Sequence, residues 1–433
     1  MQRFVAGWAA LGITMSGATQ LRMAGLPVGP SEIIMAAWIF AFAVLLLRGL
    51  AFTRSRGFMV LLLYWLSALM LLGIGASLAV QARRIDYGAA IHDGMAFAYI
   101  AVLTVVLALR LVDEDAYSYH RHLARLTFVF HVLAAGVLFG VGLIAEQLGP
   151  IDLWYGRIRF RGWAENPNQM ALAMAAMPFL GWWLLQRSRT LVGRTACLLG
   201  IALCIVVGLA TLSDGLRVAW AASVLAIGIL SFYRVTMRGR SRWLVISHLI
   251  IPALIVIIGL FYGGAVVDHL SGLAEATYEQ GDQGEKRFTL WLHGIEAIRE
   301  SPLFGFGPGP FSGDGAPFQG SEAHNTFIDW GMSTGLAGVL LYVAILWWTL
   351  WHALRSRELT LVGMLVAVIV FSIFGYVLRQ PDFWLALVLI LTLSERGITL
   401  RQRQARHSRI EPSGQARRSA PSGVRSLEQT RPL

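Results

Sequence analysis

The residues that could do chemistry in this sequence are a few arginines and one histidine, set in a chain that is otherwise apolar. Arg157, Arg159 and Arg161 alternate in WYGRIRFRGW, so an extended segment would put all three on one face. Arg217 follows Asp214 by about one helical turn in TLSDGLRVAW. Arg287 stands near the start of GEKRFTLWLHGIEAIRESP, and His324-Asn325 lies in SEAHNTFIDW. A guanidinium offers two parallel donors that match phosphate oxygens, and a neutral imidazole can take a proton from a hydroxyl. These types together suit a reaction at a phosphate-bearing substrate.

Each residue also has a plainer reading. The alternating arginines could be interfacial side chains among Trp154, Tyr155 and Trp163, an ordinary aromatic belt. Arg217 could be half of a structural pair with Asp214. An unpaired Arg at mid-bilayer costs about 3 kcal/mol on insertion scales, and much less where it can snorkel or pair near the membrane edge. Arg287 could simply be solvated. A lone histidine can be structural, but an imidazole at a helix N-terminus favours the neutral form that a general base needs.

The elements that must position these groups can be read from spacing. Phe288, Trp291, Ile295 and Ile298 repeat on one helical face, and Ser301-Pro302 ends that helix. Lying on a membrane by this face, the helix would hold Arg287 at headgroup level in its own first turn, where backbone N–H groups favour anions. Lys286 would point away. Thr326 with Asp329 fits a capping box, so a helix should begin just after His324-Asn325. Asn166-Pro167-Asn168 suits a turn followed by a helix start. GFGPG lacks the Lys-Ser/Thr of a nucleotide loop; it reads as backbone able to turn sharply or approach a neighbour closely.

The chain has 433 residues, 56% hydrophobic and 14% charged, with a mean hydropathy of +0.61. Its apolar residues fall in blocks long enough to cross hydrocarbon. They run near 4–19, 31–47, 57–80, 89–109, 125–146, 169–185, 193–212, 216–232, 243–262, 326–350, 359–377 and 382–394, which predicts an all-α polytopic membrane protein with about twelve spans. Phe4–Thr19 follows Arg3 like a signal peptide but has no small-residue cleavage site, so it reads as a signal anchor. With both termini cytoplasmic, most of the 36 basic residues fall inside, as the orientation rule asks. The 263–325 connection, with nine acids against Lys286, Arg287 and Arg299, then becomes one large periplasmic loop. Residues 1–395 form the transmembrane domain.

The net charge of +11 could suggest nucleic acid, but the tail 396–433 carries nine Arg against Glu411 and Glu428. That tail reads as disordered and cytoplasmic, with anionic membrane lipids as its partner rather than nucleic acid. Cys197 and Cys204 lie within one apolar block and read as core. Asp113-Glu114-Asp115 reads as a solvated charge cluster, and His120 and His122 have no metal-ligand spacing. No metal or other cofactor is expected.

At this point the motifs resemble a known family. Arg287 followed by SPLFGFGPGPF and AHNTFIDWGMSTGLAG looks like the conserved domain of the O-antigen ligase and polymerase (Wzy-C) family. RFRGWAENPNQMA resembles its Gly–Pro-Asn segment, and SDGLRVAW its Ser-Arg segment, here spread over Ser213 to Arg217. The resemblance spans about 155–345. It implies a glycosyltransferase C-type membrane fold and an inner-membrane enzyme that moves a glycan from undecaprenyl diphosphate to an acceptor on the periplasmic side. By motif, Arg217 and Arg287 would bind the diphosphate, with Arg161 as a helper, and His324 would act on the acceptor hydroxyl. Asn325, Asp214 and Arg159 would support them. The resemblance favours a ligase acting on lipid A-core, with an O-antigen, capsule or exopolysaccharide polymerase as the alternative. A multi-helix transporter is the reading from another class; the absence of an internal repeat and the short central connection 186–192 argue against it.

Overall fold

The computed structural model of the chain describes residues 2–23, 28–48, 52–53, 56–111, 118–236, 283–310, 312–313 and 320–410. The described backbone is mostly helical: α1 (Gln2–Met15), α2 (Pro30–Leu47), α3 (Arg56–Gln81), α4 (Tyr87–Leu107), α5 (Ser118–Gly142), α6 (Pro167–Leu185), α7 (Leu191–Ala210), α8 (Asp214–Thr236), α9 (Gln283–Glu300), α10 (Thr326–Ser356), α11 (Leu359–Phe371) and α12 (Pro381–Ile410). Among described residues, strand pairing is confined to three two-residue antiparallel pairs. The helices α2, α3, α4, α5, α7, α8 and α10 are long and apolar enough to cross a membrane, and α1 and α11 are shorter apolar helices. The chain is a membrane protein. The expected span 243–262, the 263–282 part of the long connection, Asp113-Glu114-Asp115 and the tail beyond Ile410 lie outside the described residues.

Helix starts follow local chemistry. Asn166 caps α6 by accepting the Asn168 N–H at 2.8 Å, and Pro167 sits at the first helical position, where its missing N–H costs nothing. Thr190 caps α7 through the Gly193 N–H, and Asp86 caps α4 through the Ala89 N–H. The last helix occupies the centre of the bundle. Phe383 to Leu391 are 0–3% exposed, and α12 packs against α1, α3, α4, α5, α6, α10 and α11. A helix apolar on all sides belongs in such a position. Trp384 stacks at 4.7 Å on Trp65, and its indole N–H donates to the Leu378 carbonyl at 2.8 Å. Helical backbone continues to Ile410, beyond residue 395, where the sequence placed the start of the tail. The Arg and Gln residues of that stretch are good helix formers once a helix is under way.

α10 is interrupted at Gly335, whose φ of 65° is left-handed. Backbone groups freed by the break find partners in the segment 302–307. The Phe306 and Gly307 amides donate to the carbonyls of Met332 and Ser333 at 2.8 and 2.9 Å, and the Leu336 and Ala337 amides donate to Pro302 and Leu303. The kink is therefore built by an inserted strand of loop rather than by looseness. A Cβ at Gly335 would stand 2.3 Å from the Leu303 carbonyl carbon, and one at Gly307 2.4 Å from the Ala76 amide. The glycines are there for close approach.

Candidate functional site

The segment between α5 and α6 is a compact double hairpin. Gln147–Leu148 pairs with Ile151–Asp152, and Trp154–Tyr155 with Arg159–Phe160. Gln20, in the short turn after α1, pins it by donating to the carbonyls of Asp152, Gly162 and Ala164. The three alternating arginines do not share a face. Arg157 occupies the turn with φ 64° and is 84% exposed beside Glu146. Arg161 turns back into the hairpin: Nε donates to the Asp152 carbonyl, one terminal nitrogen to the Asp152 carboxylate at 3.0 Å and the other to the Glu165 carbonyl. Arg159 alone points at the neighbouring helices, donating through Nε to the Thr211 carbonyl at 3.0 Å and through a terminal nitrogen to Asn168.

That bond brings Arg159 to the start of α8. The turn here is Thr211-Leu212, with Leu212 left-handed at φ 51°. Asp214 and Gly215, read from the sequence as the turn, are the first helical residues. Gly215 abuts Phe374, whose Cβ lies 2.7 Å from where a glycine Cβ would be. Arg217 pairs with Asp214 at 3.1 Å. Its Nε is buried and has no hydrogen-bond partner among the described residues.

α9 brings Arg287 to the same place. Leu290 and Gly294 are buried and Ile298 half-buried, with Gly294 and Ile298 against Ile328 and Gly331 of α10, while Phe288, Leu292 and Ile295 are exposed. The apolar face read from the sequence is thus divided: Trp291 and Ile298 turn inward, Phe288 and Ile295 outward. The Trp291 indole N–H donates to the Ala323 carbonyl at 2.9 Å, tying Arg287's helix to the residue before His324. Burial lowers the pKa of Arg159 from its ordinary value; Asp214 opposes the shift, and the charges of Arg287 and Arg217 add to it. An arginine stays protonated through such a shift, so the charges of Arg287 and Arg217 each lie within electrostatic reach of Arg159.

His324 completes the group. It has φ 52°, a left-handed conformation uncommon outside glycine. Asn325 is the helix cap, accepting the Phe327 N–H at 3.0 Å and the Ile328 N–H, a role the sequence assigned to Thr326. Thr326 instead bonds to the connection after α11, donating to the Gly375 carbonyl at 2.6 Å. The Asp329 carboxylate accepts the amides of Ala323 and Asn325. An exposed imidazole is so fixed on a rigid, strained support.

Two cavities meet at His324. One, about 610 Å³, is lined by Tyr155, Arg159, Asn166, Pro167, Asn168, Arg287, Leu290 and His324. Its lining holds two arginines and no carboxylate. The other, about 600 Å³, shares Asn166, Asn168 and His324 and adds Glu322, Phe371, Phe374, Tyr376, Arg379 and Gln380 among others. Arg379 is ion-paired with both Asp93 and Glu322. These three come from separate parts of the chain, and no spacing in the sequence signals them. Arg217, Asp214, Asn325 and Arg161 line neither cavity. Among the described residues, no three His, Cys, Asp or Glu stand close enough to hold a metal ion.

Residues 209–343 match the family described as O-antigen ligase, Wzy_C. The matched segment contains Arg217, Arg287 and His324, and the resemblance read from the sequence is borne out there. It begins after Arg159 and the Asn166-Pro167 helix start, which the fold rather than the match joins to the site. Comparison with curated proteins gives no match.

Proposed function

For a membrane chain that carries an O-antigen ligase domain, we propose the transfer of a glycan from a polyprenyl diphosphate to an acceptor hydroxyl at His324, on the periplasmic face of the inner membrane. The observation that carries this is the cavity that brings Arg159 and Arg287 together with the exposed imidazole of His324, with Arg217 within electrostatic reach of Arg159. Such a cluster is costly to assemble at the end of an apolar bundle unless an anion neutralises it. A lipid-linked diphosphate supplies that anion at headgroup depth.

In the proposed reaction, the acceptor hydroxyl oxygen forms a bond to the anomeric carbon of the lipid-linked sugar as its proton passes to His324. The bond from that carbon to the phosphate oxygen breaks, and the diphosphate leaves with the electron pair. Its growing negative charge falls on the guanidinium groups, which are already in place. Asn325 and Asp329 hold the backbone of His324, and Asp214 orients Arg217.

The most economical reading of the acceptor is lipid A-core, making the chain a ligase; the alternative within the same chemistry is a polymerase of O-antigen, capsule or exopolysaccharide. A deletion strain decides. Uncapped core with accumulated lipid-linked polymer supports the ligase, and single repeats attached to core support the polymerase. Normal surface glycans in that strain, with a lost solute uptake, contradict both and favour a transporter.

A further inference from the structure

Charge divides the two cavities, and the division has a chemical meaning. The lining of the first cavity carries Arg159 and Arg287 with no carboxylate among the described residues, whereas the other holds its one lining arginine, Arg379, between two carboxylates. We infer that the Arg379 cavity receives the acceptor sugar and admits neutral or amino-bearing sugars while rejecting phosphorylated or carboxylated ones. The inference rests on the reading of His324 as the point of transfer, because both cavities reach that side chain.

The Arg379 guanidinium sets the charge of its cavity. Asp93 and Glu322 each accept from one terminal nitrogen of Arg379, and the guanidinium carbon lies 4.9 Å from the centre of the Tyr376 ring. One cation against two anions leaves net negative charge, so an anionic ligand must either displace a carboxylate or sit against it. Like charges brought together at short range out of bulk water repel strongly enough to exclude a partner. His92 shares the Asp93 carboxylate through Nδ1 at 3.1 Å, on the side chain's exposed flank. The remaining lining suits an uncharged ring: Phe371, Phe374 and Tyr376 offer aromatic faces, and Gln169 and Gln380 offer amides for hydroxyls. Asp93 on α4, Glu322 before α10 and Arg379 before α12 thus act together as a charge filter.

Photolabelling of the full-length protein in nanodiscs tests this. The probes are diazirine-bearing octyl glucoside, octyl glucosaminide and octyl glucoside 6-phosphate. The first two label the peptide containing residues 371–380 at least about tenfold more than the phosphate, and Asp93→Asn narrows that ratio about threefold or more. Glu322→Gln does the same and serves where Asp93→Asn inserts poorly. Equal labelling by all three probes, or an unchanged ratio in both variants, overturns the inference. Failure of the diphosphate reading appears elsewhere, as wild-type protein that does not bind undecaprenyl diphosphate.

Discussion

The carboxylate of Asp329 grips the backbone on both sides of His324, accepting the Ala323 amide at 2.8 Å and the Asn325 amide at 3.0 Å. One side chain on the first turn of α10 therefore fixes where the imidazole stands and why its backbone stays left-handed. Removing the carboxylate leaves two buried donors unsatisfied, at about 1–3 kcal/mol each. Asp329→Ala is expected to lower transfer by about 100-fold through misplacement of His324. Undecaprenyl diphosphate binding, measured on the same preparation, stays within about threefold of wild type. Loss of binding in parallel with transfer contradicts a positioning role.

The arginines of the hairpin separate a ligand group from a structural one. Arg159→Ala removes charge from the cluster and should raise the apparent KM for the lipid-linked donor about tenfold or more. Arg161→Ala removes three bonds within the hairpin and should lower the amount of folded protein, with the KM of the surviving fraction unchanged. Donor titrations on purified variants check both. A donor KM that rises in Arg161→Ala but not in Arg159→Ala reverses the assignment.

Arg287→Lys should not restore function. Lysine keeps the charge but loses the planar pair of donors that matches two phosphate oxygens. Transfer by Arg287→Lys is expected to remain at least about tenfold below wild type, measured at saturating acceptor. Full activity in the lysine variant means charge alone suffices.

Chelation offers a simple check on what stabilises the leaving diphosphate. In the proposed reaction guanidinium groups supply the charge that a divalent ion would, so transfer by the purified protein should survive EDTA within about twofold. A collapse of activity that Mg²⁺ restores contradicts the arginine account.

The kink in α10 should be intolerant of a methyl group. Gly335→Ala meets the Leu303 backbone at 2.3 Å with φ 65°, a conformation that alone costs about 1–2 kcal/mol for an L-residue. Thermal unfolding in detergent should show a clear loss of stability. Wild-type stability in Gly335→Ala means the GFGPG segment does not sit in the break.

What the sequence revealed depended on whether the information was local. Arg217, Arg287 and His324 stand out because each is a polar group beside an apolar block, and the Asn166-Pro167 start and the close approach of GFGPG follow from single-residue preferences. The choice among Arg157, Arg159 and Arg161 was not local: a tight turn at Gly156-Arg157 and the pull of Asp152 break the alternation that an extended strand would keep. The face of α9 was misjudged because Gly294, rather than a large apolar residue, marks its contact with α10. The Arg379 network joins three segments far apart in the chain, and only the packing of α4, α10 and α12 creates it.

The central claim is that cations hold the diphosphate and His324 moves the proton, two functions on separate side chains. Binding of undecaprenyl diphosphate and transfer from the lipid-linked glycan, measured together on Arg287→Ala and His324→Ala, test it most directly. Arg287→Ala is expected to lose binding and transfer, and His324→Ala to bind normally while transfer falls by about 100-fold or more. A His324→Ala protein that transfers at the wild-type rate contradicts it.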